Sequence, residues 1–183
     1  MRRLTQDEFI GMFDEFEHSA FRLETLPQYL VDSEKERLRR YKAGEPLHIE
    51  DSTREWLEFM RREIDGGKRW HKVHIVTSPL TEYLRFECEW GYAVSTQYGQ
   101  EVGILDTSEV EKPSEVLDHD FWIFDDKQVI LLRYDEEGHF LHADEAPAAD
   151  LPKYQAARDA ALSVAVPFAE YWAAHPEFHG DRS

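Results

Sequence analysis

The chain has 183 residues, 42% hydrophobic, 13% aromatic and 32% charged, enough apolar matter for one full core and too little length to make two domains the expectation. Its formal net charge of −17 is uneven: 13 Lys and Arg stand against 16 Asp and Glu over residues 1–70, and 8 against 22 over residues 71–183. That field disfavours direct nucleic-acid binding or an anionic membrane surface, and favours encounter with a basic protein or a cation. The one cysteine, Cys88, leaves no internal disulfide, and no apolar run suits a membrane span or a signal-peptide core, so a reducing, cytoplasmic setting is expected.

In chain order, Thr5-Gln6-Asp7-Glu8 is a capping box, and Phe9, Met12, Phe13 and Phe16 follow at helical spacing, which predicts a helix over 6–17. Phe21 and Leu23 alternate with Arg22 and Glu24 and read as a short edge strand. Ser33-Glu34-Lys35-Glu36 and Ser52-Thr53-Arg54-Glu55 are two more candidate capping boxes, the second opening a helix that carries Trp56, Leu57, Met60 and Ile64 and stops at Gly66-Gly67. Residues 71–77 alternate as a strand. Ser78-Pro79 then reads as the cap and first residue of a long helix to about Gln97, with Gly91 in its middle costing about 1 kcal/mol unless something packs close there. Residues 101–106 form the next strand, parallel to the first because a helical crossover joins them.

The stretch Asp118 to Glu145 reads as a three-stranded meander, with Trp122, Phe124, Ile130, Leu132, Phe140 and Leu141 as its apolar content and acidic turns at 125–128 and 135–138. A last helix starts at Asp150, carries Tyr154, Ala157, Ala161, Val164, Phe168 and Trp172, and is expected to kink at Pro167. These elements predict a single α/β domain with a mixed sheet of about five strands. The strand-helix-strand unit is central, the meander lies at one edge and helices cover both faces. Residues 1–69 form a mainly helical part, 70–174 the sheet-containing core and 175–183 a loose tail.

The strings Ser78 to Glu87 (SPLTEYLRFE), Asp120 to Asp126 (DFWIFDD) and Tyr154 to Tyr171 resemble an uncharacterised actinobacterial family of small proteins often encoded beside helix-turn-helix regulators. More remotely, strand, long helix, strand and meander resemble half of a phospholipase D fold. The motif of that fold needs a histidine, a lysine two residues later and an aspartate seven residues after the histidine. His119 and Asp126 have the outer spacing, but Phe121 stands where the lysine belongs and can neither donate to nor neutralise a phosphate.

Other chemistry is thinly signalled. The acids and histidines of the meander could suit a metal, but His139 and His142 are three apart on a strand and point to opposite faces, while Asp125 and Asp126 are turn formers. Cys88 lies mid-helix among apolar residues, and no serine sits in a nucleophile elbow. Tyr83, Arg85 and Glu87 on the long helix, with Trp122, His119, Asp125 and Asp126 of the meander, are the candidate binding residues. Arg85 is expected to be buried and paired with Glu87 or a meander acid. No catalytic residue, metal or cofactor is assigned. The expected function is that of a non-enzymatic regulatory or adaptor protein binding a basic partner such as a helix-turn-helix regulator, a homodimer being allowed; the alternative is a phospholipase D-like or metal-dependent phosphodiesterase.

Overall fold

Eight strands in one mixed sheet make the middle layer of the computed structural model, which describes residues 1–180. They are β1 (Arg2–Arg3), β2 (Ser19–Glu24), β3 (Arg69–Val76), β4 (Glu101–Asp106), β5 (Phe121–Phe124), β6 (Gln128–Tyr134), β7 (Phe140–Glu145) and β8 (Val166–Pro167), in the order β1-β7-β6-β5-β2-β3-β4-β8. Strands β2, β3 and β4 are parallel and every other pairing is antiparallel. The expected five strands become eight partly because β1 and β8 are two-residue pairings with no periodicity of their own. The predicted edge strand is a correction of more consequence: β2 lies at the centre, between β3 and β5, and buries both faces.

Helices cover both faces. On one, α1 (Gln6–Glu15) and α3 (Asp51–Asp65) pack Met12, Leu57 and Met60 on Trp70, Trp122, Phe124 and Ile130. On the other, α6 (Leu151–Val164) sets Tyr154, Ala157 and Ala161 against Phe21, Leu23, Val73, Ile123 and Leu131. Full burial of a large apolar side chain of this kind contributes about 1.5–3 kcal/mol, so each layer holds the sheet from its own side. The Thr5 capping box forms as expected, with Thr5 N donating to Glu8 Oε2 (2.7 Å) and Glu8 N to Thr5 Oγ1 (3.2 Å). The other two boxes do not form: α2 (Lys35–Lys42) follows a 3-10 turn at Asp32–Glu34, α3 is preceded by Glu50, and neither start has a side-chain cap bond.

The long helix expected over 78–97 starts four residues later, at Glu82, and runs on to Tyr98 with changes of pitch along its length. Ser78–Pro79 is a cis peptide, and the Ser78 hydroxyl donates to Asp106 Oδ2 (2.5 Å) at the end of β4 instead of capping a helix. Helix α4 (Glu82–Phe86) is capped by Thr81, whose Oγ1 accepts from Leu84 N (3.1 Å); a π-helical turn (Glu87–Tyr92) and α5 (Ala93–Ser95) continue it. Gly91 lies in the π turn, where a Cβ would come 3.0 Å from Glu87 Oε2, so the close neighbour that justifies a glycine is a carboxylate. The kink expected at Pro167 is a full break: α6 ends at Val164, Val166–Pro167 pairs with Gly103 and Ile104, and α7 (Phe168–Ala174) starts afresh. Of the tail expected to be loose, Phe178 is buried and Gly180 N donates to Glu89 Oε1 (2.5 Å); residues 181–183 lie outside the described residues.

The meander is present as read, although Phe140 and Leu141 are exposed. Asp125 and Asp126 have φ of 53° and 54°, and Lys127 N donates to Phe124 O (3.0 Å), a tight hairpin turn of the kind that tolerates short acidic residues at positive φ. At the next turn Gly138 has φ 95°, and a Cβ there would stand 2.6 Å from Gln28 O. This close approach docks the loop that follows β2: Leu30 N donates to Gly138 O (2.9 Å) and Gln28 Nε2 to Glu137 O (2.9 Å).

Candidate functional site

The register of the sheet centre builds an unusual floor. Parallel pairing sets Arg22 beside Lys72 and Glu24 beside His74, and antiparallel pairing sets Arg22 beside Trp122. Charged side chains thus share one face with the aromatic core, where they are costly unless paired. Arg22 Nε lies 3.2 Å from Glu24 Oε1; its Nη2 donates to Tyr134 OH (3.1 Å) and to Asp120 Oδ2 (3.5 Å). The guanidinium also lies over the rings of Tyr29 and Trp122, 5.5 and 5.6 Å from their centroids. Lys72 Nζ donates to Glu24 Oε2 (3.0 Å), and Asp120 accepts from Tyr29 OH (2.6 Å), Thr25 N (2.9 Å) and Thr25 Oγ1 (2.8 Å). Burial pushes Glu24 up, but Arg22 and Lys72 outweigh it and hold the carboxyl well below its usual range. Two cations and two carboxylates therefore balance.

Above this floor is a cavity of about 690 Å³ lined by Phe9, Phe13, Tyr29, Trp56, Trp70, Tyr83, Trp122 and Tyr134, with Arg22, Glu24 and Lys72 at its base. Helix α1, the loop docked on Gly138, helix α3 and the π turn supply its walls. Its mouth is largely apolar, with Asp14 and Ser33 as its exposed polar members. Ile10 (52% exposed), Val31 (39%), Trp56 (43%) and Phe140 (48%) all line it, four of the eight large apolar side chains exposed among the described residues.

One wall carries two more carboxylates, Glu34 and Glu87. Tyr83 OH donates to Glu34 Oε2 (3.1 Å), whereas no hydrogen-bond donor among the described residues partners Glu87. Burial pushes the Glu87 carboxyl up to about 8, Glu34 and Glu24 add to this, and Lys72 and Arg37 oppose it. Glu34 is also raised, by burial first, against the pull of Arg37 and the Tyr83 hydrogen bond. Arg37 donates to Trp90 O (2.8 Å) and lies over the Phe86 ring rather than closing on either acid.

Of the residues singled out from sequence, Tyr83, Glu87 and Trp122 meet in this cavity. Arg85 does not: it is half-buried, its Nε has no hydrogen-bond partner, and the carboxylate expected beside it is not found among the described residues. Residues two apart on a helix do not face each other, which separates Arg85 from Glu87. His119 lies before β5, edge-on to Tyr154 and Phe121, with Nε2 3.3 Å from Tyr154 OH; burial lowers its pKa. Asp125 accepts from the backbone amides of Glu17 (2.8 Å), His18 (2.6 Å) and Ser19 (2.9 Å), and Asp126 pairs with Arg158 of α6. His119 and Asp126 thus flank the two ends of β5, a four-residue strand about 13 Å long. They form no dyad. Among the described residues no three His, Cys, Asp or Glu side chains converge as metal ligands.

Arg22, Glu24, Lys72, Glu34, Tyr29 and Tyr134 are site residues that the sequence reading passed over. For Arg22, Glu24 and Lys72 the signal lies in the period-two alternation of β2 and β3, where opposite charges at Arg22 and Glu24 with Lys72 on a parallel neighbour fit an internally paired row; Glu34, Tyr29 and Tyr134 lie outside those strands.

Among the described residues no helix is long and apolar enough to cross a membrane. No curated protein matches the sequence. A family model described as a domain of unknown function (DUF6879) matches residues 7–173, nearly the whole chain, and the chain belongs to that family.

Proposed function

We propose that this family member is a non-enzymatic regulatory or adaptor protein that receives a small molecule in its aromatic cavity and presents an acidic surface to a basic protein partner. The cavity carries the reading: a largely apolar mouth over a charge-balanced floor is the form of a ligand site, concave, mostly apolar and fitted with a few placed polar groups. Arg22, Lys72, Glu24 and Asp120 hold one another, which suits orientation of a ligand more than turnover. The net charge of −17 supports a basic partner, and a helix-turn-helix regulator encoded alongside, as in the actinobacterial proteins it resembles, fits that description. The phosphodiesterase alternative draws no support from His119 and Asp126, which flank β5, or from a cavity wall bearing two further acids.

The test is a thermal-shift screen of small molecules against the chain and against Val31→Trp, which places bulk at the cavity mouth. A ligand at about 100 times its Kd stabilises by about 2.7 kcal/mol, which for a chain of this size raises Tm by about 5–11 °C. The parent should show that rise and the variant should lose it. A screen without hits, or hits that stabilise both proteins equally, would remove the cavity from the reading.

A further inference from the structure

We infer that the ligand is an organic cation, an ammonium or guanidinium on an apolar body, with Glu34 and Glu87 as its counter-charges. This rests on the cavity being a ligand site and says what kind of ligand it takes. The floor cannot serve an anion: Arg22 is engaged by Glu24, Asp120 and Tyr134, and Lys72 by Glu24, so an incoming carboxylate or phosphate would have to displace a buried acid from each. The wall is different. Glu87 has no hydrogen-bond donor among the described residues, Glu34 has only the Tyr83 hydroxyl, and both line the same cavity. Rings not already covered by Arg22, those of Phe13, Trp56 and Phe140, line it as well, and a cation is drawn to such faces while its apolar body fills the space between them.

Binding of this kind is linked to protons. The groups that act on Glu87 are Glu24 from β2, Glu34 from the 3-10 turn, Arg37 from α2 and Lys72 from β3, and Tyr83 of α4 neighbours it on the cavity wall; the acids among them, with burial, favour its neutral form. A bound cation reverses that preference and expels the proton. With a free-state pKa of about 8, the fraction of protein ready for the cation falls about fiftyfold between pH 8 and pH 6, and the affinity falls with it.

Isothermal titration of the full chain with 2-phenylethylamine, 2-phenylethanol and phenylacetate separates the outcomes. The amine should bind at least tenfold more tightly than the other two at pH 8, weaken about fiftyfold by pH 6, and release protons in buffers of differing ionisation heat. Glu87→Gln should cut amine affinity at least tenfold at pH 8 and flatten its pH dependence, with Glu34→Gln as a second variant should the first not fold. Equal or tighter binding of the alcohol or the carboxylate overturns the cation assignment and leaves the cavity a ligand site. Amine binding that both variants leave unchanged overturns it too, because the amine then sits away from the two carboxylates. Binding of none of the three overturns the assignment and the ligand-site reading together.

Discussion

Replacing Arg22 with alanine should be among the most damaging single changes available in this protein. The side chain is 19% exposed, Glu24 is 6% and Asp120 1%, so its loss leaves two buried carboxylates to share the one cation Lys72, with Asp120 held only by the neutral donors Thr25 and Tyr29. Removing one partner of a buried ion pair typically costs about 3–5 kcal/mol, a large share of the roughly 5–15 kcal/mol that holds a domain together. At about 2–4 °C per kcal/mol for a chain of this length, Tm should fall by about 6–20 °C. Arg22→Lys should recover only part, because a compact ammonium cannot lie beside Glu24 and also donate to Asp120 and Tyr134 as the broad planar guanidinium does. The effect has a pH signature. The folded-state pKa of Glu24 lies below its ordinary value of 4.5, so its pairing contributes stability above that pH and loses it as pH falls toward the depressed value. Parent and Arg22→Ala should therefore differ most near neutrality and converge in acid. Calorimetric melts at pH 7 and about pH 2 measure both numbers; a variant within about 1 kcal/mol of the parent at pH 7 would refute the paired-floor account.

Glu87 gives the opposite slope. Its folded pKa near 8 exceeds the unfolded value, so between about pH 4.5 and 8 the native state holds a proton that the unfolded chain has released, and stability declines as pH rises. Urea unfolding should find Glu87→Gln equal to the parent at pH 5 and more stable at pH 8; equal behaviour at both would place that carboxyl in water. Gly138→Ala puts a Cβ 2.6 Å from Gln28 O at a φ of 95°, and should cost about 2 kcal/mol or more while raising amide exchange at Leu30, whose bond to Gly138 O ties the loop down. Arg85→Met should be neutral or slightly stabilising by denaturant melt, since it removes a buried Nε without a partner; a loss of 3 kcal/mol would restore the ion pair first expected there.

Local signals were legible where local physics decides. The Thr5 box, the strand at 101–106, the acidic turns of the meander and the helix stop before Gly66 each depend on a few adjacent residues. What failed depends on distant ones. Ser78 reads as a helix cap until Asp106, on the next strand, takes its hydroxyl. Arg22 and Glu24 read as the polar alternates of an edge strand until Lys72, Asp120 and Tyr134 close over them. The cavity was half visible, through Tyr83, Glu87 and Trp122, because ring content and a buried-looking acid can be read along one segment. Its other half, Glu34, Lys72 and Tyr29, comes from segments that only the sheet order brings together.

The place of β2 between β3 and β5 also sets the order in which the protein can be made. During synthesis β2 emerges early, but its parallel neighbour begins at Arg69 and its antiparallel neighbour not until Phe121. The carboxylate that gathers the amides of Glu17, His18 and Ser19 at the entry to β2 belongs to Asp125, over a hundred positions later. A nascent chain of about 100 residues therefore carries β2 with one edge unpaired and its charged row uncovered by Asp120 and Tyr134. Such a species has the open strand edge that chaperones shield and that neighbouring nascent chains can join. Completion of the sheet is a late, long-range event, and folding on the ribosome should show no protease-resistant core until the β5–β6 hairpin has cleared the exit tunnel.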